Sequence, residues 1–445
     1  MKLHTFSGGI DFDPSMRKLK QRFHVRKKDV AYFEPTQVAI PLTQHIGTPN
    51  EAVVAVGDQV VAGQVIAKSS AFVSGRVHAS ISGNVTGIKE VPALGGGVQK
   101  AILIERNSSE KTAERLLPEN LAPLEAIQAA GIVGLGGATF PTHVKLSPPD
   151  HQSIEYVILN GTECEPFLSS DDYLMQKESQ KILQGGEIAR NILGAKYLLV
   201  SVEEDTPEAF AVMNQTAKEL GLPHCKVLSV PITYPQGGEG QLVQTLLGRE
   251  IPFGGLPGDV GVVLLNVATA FGIAQAVNER KALTRRFITV TGTVNTPQVV
   301  SFPFGTMAKD LLAFCGGTSS QAVKILQGGP MMGRTLPDLD TPLTKGANGL
   351  LVLSDGEVSE TCEQPCIRCN RCVEVCPVNI EPQNIDLAYR AEDLFTCEQL
   401  VATRCINCGC CTYVCPARRN LASNITKASN KIKQIKKELA DNDKN

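Results

Sequence analysis

Between Val38 and Glu105, short apolar runs alternate with glycine-centred turns. Val53–Val56, Val60–Val61, Val65–Ala67, Val77–Ile81 and Val85 are punctuated by Gly57-Asp58, Gly63 and Gly83, which is all-β patterning. From about Pro123 to Ala282 the period changes. Val157–Leu159, Leu198–Val202 and Gly261–Leu265 are continuous apolar runs of strand length. Helical stretches such as Ser179–Leu193 and Thr206–Leu220 lie between them, so strand and helix alternate as in an α/β domain. Arg286–Thr293 opens a smaller module, where a strand, a hairpin return and a helix ending at Gly316-Gly317 predict a β-grasp unit. Thr361 to Ala417 is rich in cysteine. Beyond it, Ile425, Ala428, Ile432, Ile435 and Leu439 stand at helical spacing in a Lys-rich tail, predicting an amphipathic helix that lies on its own protein or on a partner.

These patterns predict a multidomain α/β and β chain. Residues 1–115 form an arm and a β domain, 116–282 the α/β domain, 283–345 the β-grasp module, 355–420 the cysteine-rich domain and 421–445 the tail. Composition agrees: 445 residues, 42% hydrophobic and 20% charged, fit an ordinary globular protein of about three domains. A formal net charge of −2 gives no reason to expect nucleic acid as a partner. No run approaches the ~18 apolar residues of a membrane span. The first 30 residues carry no apolar signal-peptide core, so the sequence predicts a chain that is neither exported nor anchored by itself. Arg17 to Lys28 hold seven Lys/Arg and no acid, either a solvated arm or a docking arm for an acidic partner.

The β segment VGDQVVAGQVIAKSSAFVSGRVHASISGNV resembles a lipoyl or biotinyl carrier domain, a barrel-sandwich hybrid. The hairpin tip reads Ser70-Ala71-Phe72-Val73-Ser74-Gly75, and Lys68 stands before it. The expectation is the shape without the attachment lysine.

Eight of the fourteen cysteines fall in two identical motifs, Cys366-x2-Cys369-x2-Cys372-x3-Cys376-Pro377 and Cys405-x2-Cys408-x2-Cys411-x3-Cys415-Pro416. Three thiolates at this spacing can wrap three corners of a cubane, while the fourth, before proline, ligates the other cluster in two-cluster ferredoxins. The expected sets are Cys366, Cys369 and Cys372 with Cys415, and Cys405, Cys408 and Cys411 with Cys376, giving two 4Fe–4S clusters in an α-helical ferredoxin-like domain. Zinc sites usually take separated pairs instead. Cys362, Cys397 and Cys410 are expected as buried thiols, and Cys164, Cys225 and Cys315 as core packing.

A second informative stretch is Gly131-Ile-Val-Gly134-Leu-Gly136-Gly137-Ala-Thr-Phe140-Pro-Thr-His-Val-Lys145. Consecutive glycines let backbone amides approach a phosphate or a flat ring, and Lys145 could neutralise a phosphate. The stretch matches neither the dinucleotide fingerprint nor the P-loop. Asn160-Gly-Thr-Glu163-Cys-Glu165-Pro166, Tyr234-Pro-Gln-Gly237-Gly238-Glu239 and Asn266-Val-Ala-Thr269 follow. Loops after strands of an α/β sheet are where ligands bind.

In this order, the pieces resemble the flavin- and NADH-binding subunit of respiratory complex I and, more narrowly, the RnfC family, the C subunits of Rnf complexes. The resemblance implies an FMN-binding α/β domain, an SLBB-like β-grasp module and an oxidoreductase that couples ferredoxin oxidation to NAD reduction and ion pumping. Carried over by position, Gly134, Gly136, Gly137 and Lys145 hold FMN, and Asn160, Glu163 and Asn266 bind its ribityl phosphate and ring edge. Tyr234, Gly237 and Glu239 line the same pocket, with Glu165 and Glu239 facing the nicotinamide nucleotide. Phe140 is either a ring-stacking or a core residue. The complex I pattern has Arg where this chain has Leu135, and paired Glu where it has Gly238-Glu239, so the NADH contacts are expected to differ. No separate catalytic residue is implied, because the flavin carries the hydride. The implied partners are the membrane and iron–sulfur subunits of an Rnf-type complex, with ferredoxin acting indirectly, and the implied place is peripheral, on the cytoplasmic side of the membrane. Rival readings are a soluble flavin/iron–sulfur reductase of the cobalamin-reducing kind and an electron relay without flavin.

Overall fold

The structure is a computed structural model that describes residues 3–13, 30–107, 114–358 and 362–442. The basic arm Arg17–Lys28 lies outside the described residues. The chain divides into two units, one of residues 15–230 and 257–358, the other of residues 1–14, 231–256 and 359–445.

In the larger unit the β segment folds as two small sheets. Gln37–Pro41, Val98–Arg106, Gly83–Pro92 and Gln59–Val60 pair antiparallel in that order, and Glu51–Ala52, Val65–Lys68 and Val77–His78 form the second sheet. Their inward side chains, among them Val38, Ile40, Ile66, Val77, Ile102 and Ile104, are fully buried. Such alternation of buried and exposed positions is what the apolar runs encode.

The α/β part centres on a parallel sheet in the order Cys225–Val230, Tyr197–Glu203, Tyr156–Gly161, Val262–Asn266. Three of these strands, Tyr156–Gly161, Tyr197–Glu203 and the edge strand Val262–Asn266, are buried almost throughout, which explains their continuous Val/Ile/Leu character. The helix Ser179–Leu193 crosses the helix Val267–Asn278 so closely that a Cβ on Gly185 would lie 1.8 Å from the carbonyl oxygen of Ala270. Only glycine fits there. This crossing fixes the start of Val267–Asn278, and with it Asn266.

The β-grasp strands are Arg285–Gly292, Gln298–Pro303, Ala322–Gln327 and Arg334–Thr335, with helix Ala308–Phe314. The sheet extends past residue 345: Gly349–Ser354 sits inside it, parallel to Arg285–Gly292 and antiparallel to Ala322–Gln327, and Ala31–Tyr32 adds an edge beside Gln298–Pro303.

The smaller unit gathers the cysteine segment, residues 3–13 and residues 231–256. Sequence reading places residues 231–256 in the α/β domain; in the structure the chain leaves the sheet after Val230 and hydrogen-bonds elsewhere. Ile10 and Tyr234 exchange backbone bonds at 2.8 Å, Gly9 N donates to Val375 O at 3.0 Å, and His4 N donates to Thr245 O at 2.9 Å. One short helix sits in each cysteine motif, Arg371–Glu374 and Cys410–Tyr413. Helix Leu421–Asn442 closes the core with Leu421, Ile425, Ala428 and Ile432, while Ile435 and Leu439 are exposed. The first half of the tail helix therefore lies on its own protein.

Candidate functional site

The glycine-rich segment is a turn at the carboxyl ends of the parallel strands. It closes on itself: Gly134 N donates to Phe140 O at 2.8 Å, and Thr139 N donates to Gly134 O at 3.0 Å. Leu135 N donates to Thr269 Oγ1 at 2.9 Å, and the Leu135 carbonyl accepts from Arg286 Nη2 at 3.0 Å. These bonds leave Gly136, Gly137 and Ala138 exposed, and their amides donate to no acceptor among the described residues. Gly137 has a φ of +110°, and a Cβ there would meet nothing within 4 Å. Adjacent unbonded amides in an exposed turn can serve an anion. Phe140 is half-buried beside this turn.

Asn160 and Asn266 stand in register at the ends of neighbouring strands. Both fold back on the backbone: Asn160 Oδ1 accepts from Thr162 N at 3.0 Å, and Asn266 Oδ1 accepts from Ala268 N at 2.9 Å, capping the helix it starts. Asn266 Nδ2 also donates to Asp171 Oδ2 at 2.6 Å. Gly136 lies against Asn266, with 3.4 Å between a built Cβ and the Asn266 Cβ. Lys145 is half-buried at the end of the short helix Thr142–Lys145.

The two glutamates of the Asn160–Pro166 loop have different surroundings. Glu163 accepts from the amides of Ser170, Asp171 and Asp172 at 3.0, 3.2 and 3.4 Å, so it caps the helix Ser170–Lys177. Negative charge is stabilised there. Glu165 accepts from the amides of Met331 and Met332 at 3.0 and 2.7 Å, on a β-grasp loop. Burial pushes its carboxyl up to about 7 against the pull of those two amides.

Two buried cations behind the turn are not suggested by the sequence pattern. Arg286 donates to Lys345 O as well as Leu135 O; burial brings it down to about 10, opposed by the charges of Asp171 and Glu163. Lys345 Nζ donates to Gly131 O at 2.7 Å and Arg76 O at 2.9 Å, and burial brings it down to about 7. A Cβ on Gly131, whose φ is +67°, would lie 2.3 Å from Arg76 O. The carrier-like hairpin tip also reaches this region, where His143 Nε2 bonds Phe72 O at 2.9 Å.

Tyr234, Gly237 and Glu239 belong to the smaller unit. Tyr234 is 1% exposed and its hydroxyl donates to Cys408 O at 2.7 Å, while Glu239 opens helix Glu239–Leu247. Gln241 Nε2 donates to Pro377 O at 3.2 Å. This segment is packed against the cysteine motifs.

The eight motif cysteines line two cavities. One is bounded by Cys366, Cys369, Cys372 and Cys415, the other by Cys405, Cys408, Cys411 and Cys376, so each cavity draws its fourth cysteine from the other motif. Amides already point at sulfur: Arg368 N to Cys366 Sγ at 3.4 Å and Asn407 N to Cys405 Sγ at 3.3 Å. No three Cys, His, Asp or Glu side chains among the described residues converge on a point where a single ion would sit. Around the first cavity, Asp386 is wholly buried, accepting from Arg419 at 2.8 and 2.5 Å, Arg390 at 3.0 Å and Asn424 at 2.6 Å. Of the remaining thiols, Cys397, Cys410 and Cys315 are buried and Cys164 and Cys225 half-buried, but Cys362 is exposed, on irregular chain ahead of the first motif.

The chain is similar to known proteins along most of its length. Family models match the RnfC barrel sandwich hybrid domain at residues 4–109, the Nuo51 FMN-binding domain at residues 127–275 and the SLBB domain at residues 287–335. The C subunit of the proton-translocating ferredoxin:NAD(+) oxidoreductase complex of Clostridium ljungdahlii is 39% identical over 86% of this chain and 84% of its own length. The C subunit of the Na(+)-translocating ferredoxin:NAD(+) oxidoreductase complex of Acetobacterium woodii is 38% identical over 97% of this chain and 98% of its own. Among solved structures, a chain of an NAD+-reducing [NiFe]-hydrogenase has TM-score 0.50 and 18% identity, covering 69% of this chain and 60% of that one, a likeness of fold.

Proposed function

Because the chain belongs to the RnfC family, the C subunits of ion-translocating ferredoxin:NAD(+) oxidoreductase complexes, we propose that it passes electrons between NAD(H), FMN and two 4Fe–4S clusters. The observation that carries this reading is the pairing, in one chain, of an open amide turn at the end of a parallel sheet with two cavities of four cysteines each.

The residues fit the groups. The open amides of Gly136, Gly137 and Ala138 suit a phosphate, and Lys145 at the end of the next helix supplies positive charge. Asn160 and Asn266 mark the strand ends that would hold the flavin, and Glu163 and Arg286 would keep the frame behind it. Glu165 orders the Met331–Met332 loop beside this site, where a nicotinamide would approach. In the other unit, the segment that carries Tyr234, Gly237 and Glu239 supports the cysteine motifs through Tyr234, which braces Cys408, and Gln241, which donates to Pro377 O. Bound FMN supplies the exchange between a two-electron hydride and single electrons, which iron–sulfur clusters alone cannot perform.

The domain limits proposed for these tasks are 1–115, 116–282, 283–345, 355–420 and 421–445, with residues 231–256 serving the cluster domain. No helix among the described residues is long and apolar enough to cross a membrane. Ion movement is therefore assigned to membrane partners, against which this chain sits peripherally on the cytoplasmic side, with electrons arriving from ferredoxin through an iron–sulfur partner. The test is chemical. Acid extraction of the folded chain should release fluorescent FMN, and iron and acid-labile sulfide should match two cubanes. Folded protein with its iron but no flavin would leave a simple electron relay instead.

A further inference from the structure

The two cysteine motifs are related by a constant offset, and the residues around them differ. Each residue lining the first cavity has a counterpart at this offset, and all but Asn407 line the second cavity. Arg368, Asn370, Arg371 and Gln383 correspond in order to Asn407, Gly409, Cys410 and Ala422, and Arg419 corresponds to Ile380. The first cavity is thus lined by three guanidinium-bearing residues and two carboxamides, while the second has Val378, Ile380, Ile406, Ala422 and Ile425 and no charged residue. Exposure differs in the same sense. Cys369 is exposed and Cys415 half-buried, whereas their counterparts Cys408 and Cys376 are buried; Cys366 and Cys405 are alike half-buried, and Cys372 and Cys411 alike buried.

Reducing a cluster adds one electron and therefore one negative charge. Nearby cations, N–H groups aimed at sulfur and access to water all favour the reduced form, and an apolar shell disfavours it. Resting on the two-cluster reading above, we propose that the Cys366/Cys369/Cys372/Cys415 cluster has the higher reduction potential and fills first, and that Gln383 with the neighbouring arginines sets the difference. Gln383 is the most specific element. Cys372 Sγ lies 3.2 Å from Gln383 Oε1. A ligating thiolate has no proton to donate, so the carboxamide turns about its terminal bond and presents N–H to the sulfur; Asn370, whose Oδ1 accepts from Gln383 Nε2 at 3.3 Å, turns with it and donates to Oε1 instead. Ala422 offers nothing equivalent to Cys411. Two charges act the other way: Asp386 offsets part of Arg419, and exposed Lys433 lies within electrostatic reach of Cys405. Arg368 and Arg371, both exposed, have no carboxylate partner within ion-pair distance among the described residues and keep the balance on the first site.

The experiment is an EPR-monitored redox titration of the full chain with its clusters, in the parent, Gln383→Ala, Arg368→Asn and Arg371→Ala. Cys369→Ser and Cys408→Ser assign each signal to its site. The higher midpoint should belong to the signal altered by Cys369→Ser. Gln383→Ala should lower that midpoint alone, by about tenfold in the reduced-to-oxidised ratio, or about 59 mV for one electron. The two surface arginine variants, which do not threaten folding, should move it the same way by less. The proposal is overturned if the higher midpoint follows Cys408→Ser, or if Gln383→Ala and both arginine variants leave the midpoints in place. A folded chain lacking the iron and sulfide of two cubanes would overturn the cluster reading itself, a separate and visible failure.

Discussion

Glu165 is a carboxyl held between desolvation and two backbone amides, and its proton has a measurable consequence. Its folded-state value, about 7, lies above the ordinary 4.5. Between those values the folded protein keeps a proton that the unfolded chain has lost, so this group's contribution to stability falls as pH rises through the window. The whole effect is at most roughly 3 kcal/mol. Glu165→Gln has no such proton, so its Tm relative to the parent should climb from pH 5 to pH 7.5 and then level off; a constant difference would contradict the assignment. Residues of this kind also show what a sequence can and cannot disclose. The eight cysteines announce how they group, because their spacing is itself the geometry, and the two cavities draw on them in that grouping. Glu163 and Asn266 are legible as loop residues after strands, yet nothing in NGTECEP distinguishes the glutamate that caps a helix from the one that holds the Met331–Met332 loop. Arg286 and Lys345 look like ordinary surface cations in TRRFITV and LTKGANG. Their burial is created by segments far away in the chain, Leu135, Gly131 and Arg76, which no local pattern encodes.

At the scale of elements, the helix crossing at Gly185 and the sharing of cysteines between the two cavities each make a prediction. Gly185→Ala pushes a methyl into the Ala270 carbonyl and must shift helix Val267–Asn278 with Asn266 at its head. Overpacking of this kind costs about 1–3 kcal/mol or more. The variant should lose both melting temperature and retained flavin; flavin kept at full occupancy would detach the helix from the site. In the other unit, Asp386→Asn leaves Arg419 and Arg390 without their shared carboxylate, and breaking such a buried pair typically costs about 3–5 kcal/mol. Loss should appear as a lowered unfolding midpoint of the cluster domain. Cys376→Ser, within the first motif, should chiefly damage the cluster assembled by the second, because Cys376 lines that cavity; EPR of the variant decides. The strands and helices themselves are readable from period alone. The fate of residues 231–256 is not, since a short segment after a strand carries no sign of whether it returns to its sheet or joins another core.

Across the whole molecule, the arrangement is one of wiring: an amide turn suited to a flavin phosphate in one unit, and two cysteine cavities with unlike surroundings in the other. The tail helix adds a surface feature, since Ile435 and Leu439 are 44% and 59% exposed beyond the half that packs at home. The central claim is that electrons stored on the clusters reach NAD+ only by way of the flavin. It is tested by reducing the isolated chain with dithionite, removing the reductant, and adding NAD+ anaerobically. With flavin bound, reduced-nicotinamide absorbance should appear as the cluster EPR signals disappear, one NADH for each pair of electrons, and the same protein stripped of FMN should form none. NADH formed equally well without flavin, or none formed with flavin and both clusters in place, would contradict it.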